Sequence, residues 1–458
     1  MRPRWRKALT DISVNRIRSL LVIASIVIGL FALGTISTIY FVVRDDMRAG
    51  YASVNPANIQ MKTSLFDQKM LSSVSKIRGV RQAEGARNLT LRLQTAPGEW
   101  TTFNIRSVHD WDKLNINRLH LESGNWPPGD HELAIERYKL HDLNTNLGEE
   151  VTLQINGDQN RSIKFTAIVS EQTLGAFETG PGFFLAPAQG YVNENTLEWL
   201  GEPKAYLFNT LYVTVDQNSE DEAYLRSFAD RLAHDLEKGG VSTYGIAVRG
   251  SFDHPNRIFA DAIAALLIIL GFLVVFLSGF LITNTLQALV AQQGLQIGIM
   301  KTVGARQHQI IIVYMMLILF FSLISIMIAV PLSYQTSFSA SALLANQINF
   351  EFQGRRLIPA AILLQVFMGL AIPQVAAFIP IWQGAQLTIQ ETLSGVRQDH
   401  LLYQDWLSRR IARIRGLSRP ILVALRNTIR KKGRLILTVM TLSLGGAVFI
   451  ATFNVRNS

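Results

Sequence analysis

Four uninterrupted apolar stretches constrain this chain more than any other feature of its sequence. Ser19 to Val43 contains no charged residue, nor does Ala262 to Met300, and Ile310 to Val330 and Leu357 to Trp382 are further apolar segments. A fifth begins at Leu435. A hydrocarbon core of about 30 Å is crossed by about 20 such residues in a helix, so the chain is read as a multi-pass α-helical membrane protein. The run after Asp261 corresponds to about 58 Å of helix at 1.5 Å per residue. Its membrane part should therefore end near Asn284, with the chain continuing beyond the surface. A basic, apolar and then small-residue order at the N-terminus imitates a secretory signal, but the apolar run is too long for one, so it is read as an uncleaved first span.

The charge distribution orients these spans. The 458 residues carry a net charge of +10, yet residues 44–256 sum to −7 and the remainder to +17. The basic excess lies before the first span and, between the fourth and fifth, in Arg397 and the run from Arg409 to Arg434. The positive-inside rule puts both segments, and the N-terminus, in the cytoplasm. Residues 44–256 then lie outside, and no nucleic-acid partner is implied. The Arg409–Arg434 run either binds anionic head groups, making membrane lipids a partner, or only holds topology. Arg355 and Arg356 oppose the rule at the outer edge of the fourth span, where long side chains can snorkel to head groups.

The expected order is a basic N-terminus (1–18), span 1 (19–43), an extracytoplasmic α+β domain (44–256), span 2 (257–290), a cytoplasmic segment (291–309), span 3 (310–332), an external loop (333–356), span 4 (357–384), a basic linker (385–433) and span 5 (434–455). Within the domain, Asp67 to Ile77 has helical periodicity, and "LTLRLQ" at Leu89, "VTLQI" at Val151, "IKFTAIV" at Ile163 and "LYVTV" at Leu211 read as strands. Ser219 is placed to cap a helix that carries Tyr224, Phe228, Leu232 and Leu236. "SGNWPPGDHELAI" reads as a turn-rich entry to another strand.

The segment from Ala8 to Gly29 falls on Ala424 to Gly445 when shifted, with Arg18/Arg434, Leu21/Leu437 and Gly29/Gly445 coincident. The fifth span thus reads as a second copy of the first, and the chain as the first half of a duplicated protein.

Between spans 2 and 3 lies "QIGIMKTVGARQHQI", Gln296 to Ile310. It resembles the cytoplasmic loop of FtsX-like permeases, the family of MacB-type and lipoprotein-releasing ABC transporter subunits, through Ile297, Gly298, Gly304, Ala305, Gln309 and Ile310. Lys301 stands where arginine is common, and Gln296 replaces an acid that would pair with a partner. "IPIWQGAQLTIQETL" from Ile379, "LESGNWPPGDHELAIER" from Leu121 and "LRNTIRKKGRLILTVMTLSLG" near the chain end are similar to other segments of the family. The resemblance implies a non-catalytic permease in a bacterial plasma or inner membrane. It also implies a separate cytoplasmic ABC ATPase subunit and pairing of permease repeats as a homo- or pseudo-dimer.

The family's coupling element falls on Gln296, Ile297, Gly298, Met300, Lys301, Gly304, Ala305 and Arg306. Gly298 permits close backbone approach, Gly304 suits a helix stop, and Ile297 and Met300 form the expected apolar face. Asp261 is either a gate or interface residue or an ordinary interfacial charge. Asn284, with Thr285, either bonds between helices or marks the membrane boundary. Pro373 and Pro380 are expected to kink or stop the fourth span.

No G-x-x-x-x-G-K-[ST] phosphate loop occurs, and the eight histidines have no ligand spacing, so neither a cofactor nor a metal is expected. A membrane receptor or anchor whose external domain binds a ligand or cell-wall enzyme is the alternative reading.

Overall fold

The computed structural model describes residues 16–155, 159–176 and 187–386, with isolated positions 439, 443 and 446. The expected basic linker from 387 onward and most of the fifth span lie outside the described residues. The described chain divides into two compact units.

The first unit comprises residues 16–38, 267–337 and 358–386 of the described chain. It is built on four long helices, α1 (Arg16–Ser53), α6 (Arg257–Gln292), α8 (Gln307–Gln347) and α9 (Pro359–Gln386), each long and apolar enough to cross a membrane. Because hydrocarbon gives apolar helices no solvent-driven reason to associate, contact between them rests on close approach and interhelical hydrogen bonds. Gln365 of α9 is buried. Its Nε2 donates to Leu30 O of α1 at 2.9 Å, and its amide also meets Ser333 Oγ of α8. The approach depends on Gly34, where an added Cβ would stand 2.3 Å from Gln365 Nε2. Ser325 Oγ donates to Ile23 O at 3.2 Å, and Thr35 and Thr336 are 3.2 Å apart.

Neither proline stops α9, which continues through Pro373 and Pro380 to Gln386. A proline at 380 has no N–H for the carbonyl four residues earlier, Ala376 O. Thr283 of α6 approaches that orphan: its Oγ1 lies 3.1 Å from Ala376 O and 2.8 Å from its own Gly279 O. A neighbouring hydroxyl thus re-satisfies a group that lipid cannot.

The second unit comprises residues 39–266 and 338–357. Its organising strand is β2 (Val80–Ala96), far longer than the hexapeptide whose alternation is visible in the sequence. The first part of β2 joins β10 (Thr243–Val248), β1 (Ile59–Phe66) and β9 (Phe208–Val215) in the order β10-β1-β9-β2. Helices α2 (Gln68–Val74) and α5 (Glu222–Lys238) cover this sheet, packing Leu71, Leu225, Phe228 and Leu232 against Met61 and Leu211. Asp221, not Ser219, caps α5, its Oδ1 accepting from Ala223 N at 3.0 Å and Tyr224 N at 3.2 Å.

From Arg87 onward β2 enters a second lobe. It pairs with β3 (Glu99–Val108), β3 with β8 (Ala188–Asn193), β8 with β5 (Glu132–Glu136), β5 with β7 (Gln159–Ser170), β7 with β6 (Glu150–Ile155), and β6 returns to β2. The ring is closed, so its strands bury Leu93, Phe103, Ile105, Leu153 and Phe165 without leaving a free edge in the ring. β4 (His120–Gly124) adds to the end of β7, the short helix α3 (Leu140–Leu143) follows β5, and α4 (Glu194–Trp199) follows β8.

The expected loop 333–356 is helical as far as Gln347, because α8 runs on without a break. The remaining connection is pinned within the second unit. Asn256 Nδ2 donates to Ile348 O at 2.7 Å, and Asn349 Nδ2 donates to Glu171 O at 3.0 Å. Arg356 does not snorkel: it pairs at 2.6 Å with Asp46 of α1, a fully buried carboxylate that also accepts from Gln353 N. Removing one partner of such a pair leaves the other charge unmet.

Glu136 is also buried, one carboxyl oxygen accepting from Tyr138 N at 2.8 Å. Burial, aided by the nearby Glu171 carboxylate, pushes its pKa up to about 8 from an ordinary 4.5.

Two outcomes follow from these contacts. Thr283→Val should cost about 0.5–1.5 kcal/mol of stability, and less in a Pro380→Ala background, where an N–H again reaches Ala376 O. A double-mutant cycle on the solubilised protein measures this. Because the folded-state pKa of Glu136 lies above its unfolded value, its contribution to stability is complete below about pH 4.5 and is lost as pH rises through about 8. Glu136→Gln should flatten the fall in melting temperature between pH 5 and 8.

Candidate functional site

The segment between α6 and α8 is a short helix, α7 (Gly294–Thr302), closed by a tight stop. Gly304 has φ +97°, a conformation that costs residues with a Cβ about 1–2 kcal/mol. Its N–H donates to Lys301 O at 3.0 Å, and Ala305 N–H reaches back to Met300 O at 2.9 Å. These two bonds form a Schellman ending, and the half-buried Met300 and Ala305 supply its apolar contact. The next helix starts at once: Gln309 Oε1 accepts from Arg306 N at 3.1 Å, the returning half of a capping box. The expected helix stop at Gly304 is therefore present, and Gln309 has a definite local task.

The expected apolar face is on the other side of the helix. Ile297 is 1% exposed and packs in a cluster with Val290, Ile310, Tyr314 and Ile381, while Met300 lies against the same cluster. Gly298 is buried beside it. Ile297 and Gly298 anchor α7 to the helical unit and are not available to a partner. The outward apolar residues are Leu295, Ile299 and Val303, exposed by 55%, 50% and 84%. Their spacing of four puts them on one side of a helix, a pattern readable in the sequence but masked by the equally apolar Ile297 and Met300. Gln296 and Arg306 are exposed near this stripe, whereas Lys301 is half-buried.

Two other sequence candidates have local partners. Asp261 pairs with Arg257 one helical turn earlier at 3.4 Å and is largely exposed. Asn284 is half-buried, but the hydroxyl that reaches a neighbouring helix is that of Thr283; Thr285 bonds back to Leu281 O within α6. Among the described residues, no group of three or more His, Cys, Asp or Glu side chains is placed to hold a metal.

The short helix and its stop, held between two long apolar helices, coincide with a family match over residues 268–389. This segment is similar to the C-terminal domain of FtsX-like permeases. No curated protein matches the chain. Among solved structures, the chain is similar to the extracellular domain of the ABC-type transporter YknZ from Gram-positive bacteria, at 13% identity, covering 42% of this chain and 100% of that one with a TM-score of 0.27. It is also similar to the periplasmic region of MacB from Actinobacillus actinomycetemcomitans, at 13% identity over 46% of this chain and 94% of that one, TM-score 0.27. A domain of a permease protein from Porphyromonas gingivalis has 11% identity over 43% of this chain and 93% of that one, TM-score 0.26.

Within the matched segment, the stop at residue 304 is open to solvent, with no atom within 4 Å of an added Cβ. Gly304→Ala should therefore cost only the backbone strain, about 1 kcal/mol, and Gly304→Asn less, because asparagine tolerates the left-handed region. Thermal melts of the two variants in detergent check the order.

Proposed function

We propose that the chain is the membrane-spanning subunit of an ABC transporter and that α7 is the element through which a separate ATPase drives it. The observation that carries this reading is the division of α7 into two faces. Ile297 is locked into the helical unit, while Leu295, Ile299 and Val303 are left uncovered. An apolar helical face of this kind suits a groove on a partner, and the buried face makes the helix move with the spans that flank it. The Schellman ending and the immediate start of α8 leave little slack for a push on α7 to be absorbed.

In this reading the N-terminus and α7 face the cytoplasm of a bacterial cell, and residues 44–256 lie outside. That orientation follows from the charge asymmetry of the sequence. The chain contributes no catalytic group. ATP binding and hydrolysis occur on the partner, and the outcome is movement of the external domain, for export, lipoprotein release or mechanical signalling. Two permease repeats, from one longer chain or two copies, form the working unit, with lipid covering the remaining apolar faces.

The test is a pull-down from detergent-solubilised membranes using the full reading frame. Wild type should retain an ATPase, Ile299→Glu combined with Val303→Glu should lose it by at least about tenfold, and both proteins should melt at similar temperatures, since both side chains can keep a charged end in solvent. If wild type in native-like lipid brings down no ATPase, the transporter reading fails and a receptor or anchor takes its place.

A further inference from the structure

The second unit contains a cleft of about 570 Å³ beside the first part of β2, within the usual range for ligand sites. Six consecutive residues of β2 line it, Arg81, Gln82, Ala83, Glu84, Gly85 and Ala86. A cleft lying over one face of a strand would touch alternate residues, so this one runs along the strand's edge. The pairing registers agree. Residues 80–86 of β2 pair with β9 on one side, and pairing with β3 on the other side begins only at Arg87. Among the described residues no strand pairs with this part of β2 on its second side. The opposite walls are α2 and its C-cap, through Gln68, Leu71 and Ser75, and the chain after β3, through His109, Lys113 and Leu114.

We infer that this cleft is a binding site for an extended, acidic peptide segment, which adds as a strand to residues 82–86 of β2. An open strand edge offers main-chain donors and acceptors that an extended backbone matches directly. Five residues at about 3.3 Å each form a short but complete landing site.

The charges choose the occupant. Lys113 is bonded to Asp110 at 2.6 Å, and the buried Arg106 lies 3.7 Å from Glu171. Glu84 is occupied by the amides of Asn115 and Ile116, at 2.6 and 3.0 Å. Arg81 is exposed at the end of the cleft and makes no ion pair among the described residues, leaving an unmatched positive charge for an acidic side chain. Leu71, Leu114 and Phe208 give alternate apolar side chains a wall to cover. This inference does not depend on an ATPase and concerns the part of the chain outside residues 268–389.

The test uses the full chain in nanodiscs and a capped hexapeptide of alternating valine and glutamate. Saturable binding should be seen by fluorescence anisotropy of the labelled peptide, with hydrogen exchange at residues 82–86 slowed by about tenfold or more. A version with alternate backbone nitrogens methylated should bind at least about tenfold more weakly, as should one with lysine in place of glutamate. Gln68→Trp, which fills the cleft from an exposed helical position, should abolish binding without changing the melting temperature. Absence of saturable binding to a stable wild type overturns the proposal, and so does equal binding of the methylated peptide. Equal binding of the lysine peptide overturns the acidic occupant.

Discussion

Inside a bilayer every backbone carbonyl has to find a donor within the protein, and the helical unit is arranged around that requirement. Most carbonyls are served by their own helix. The informative ones are those served from elsewhere. Ala376 O loses its helical donor to Pro380 and is met by Thr283, while Leu30 O receives the side-chain amide of Gln365. Each such bond also ties two helices together, so the cost of leaving a polar group in hydrocarbon becomes a source of specific packing. Gly34 belongs to the same solution, because a side chain there would occupy the space of the Gln365 amide.

A different device organises the second unit. One strand, β2, belongs to two lobes with separate apolar cores, closing a ring of strands in one and, among the described residues, leaving an edge open in the other. Two buried acidic residues, Asp46 and Glu171, hold connections that the cores do not reach. Asp46 receives Arg356 and the Gln353 amide, and Glu171 lies beside Arg106, accepts from Tyr191 and lends its carbonyl to Asn349. Such polar junctions demand exact partners, and their placement explains why a short stretch after α8 is fastened so firmly.

At α7 the sequence was legible in part. The position of the helix and its glycine stop could be read from the residues, since a Schellman ending needs a left-handed residue and glycine is the natural one. The direction of its faces could not. Leu295, Ile297, Ile299, Met300 and Val303 make the short helix apolar almost all round, so periodicity does not single out one side. Only the packing of Ile297 against Val290, Ile310 and Ile381 decides which residues remain for a partner.

The sequence by itself determined the apolar runs that form the four long described helices, the α+β character of the chain between the first two, and the helical segment before Gly304. These are written in local features, namely apolar run length, strand alternation and turn residues, which act over a few neighbouring positions. Tertiary structure alone decided the partner of Arg356, the donor for Ala376, the length of β2 and the exposed face of α7. Each depends on residues that meet across large distances in the chain, and no local preference specifies which of several chemically suitable groups will be there.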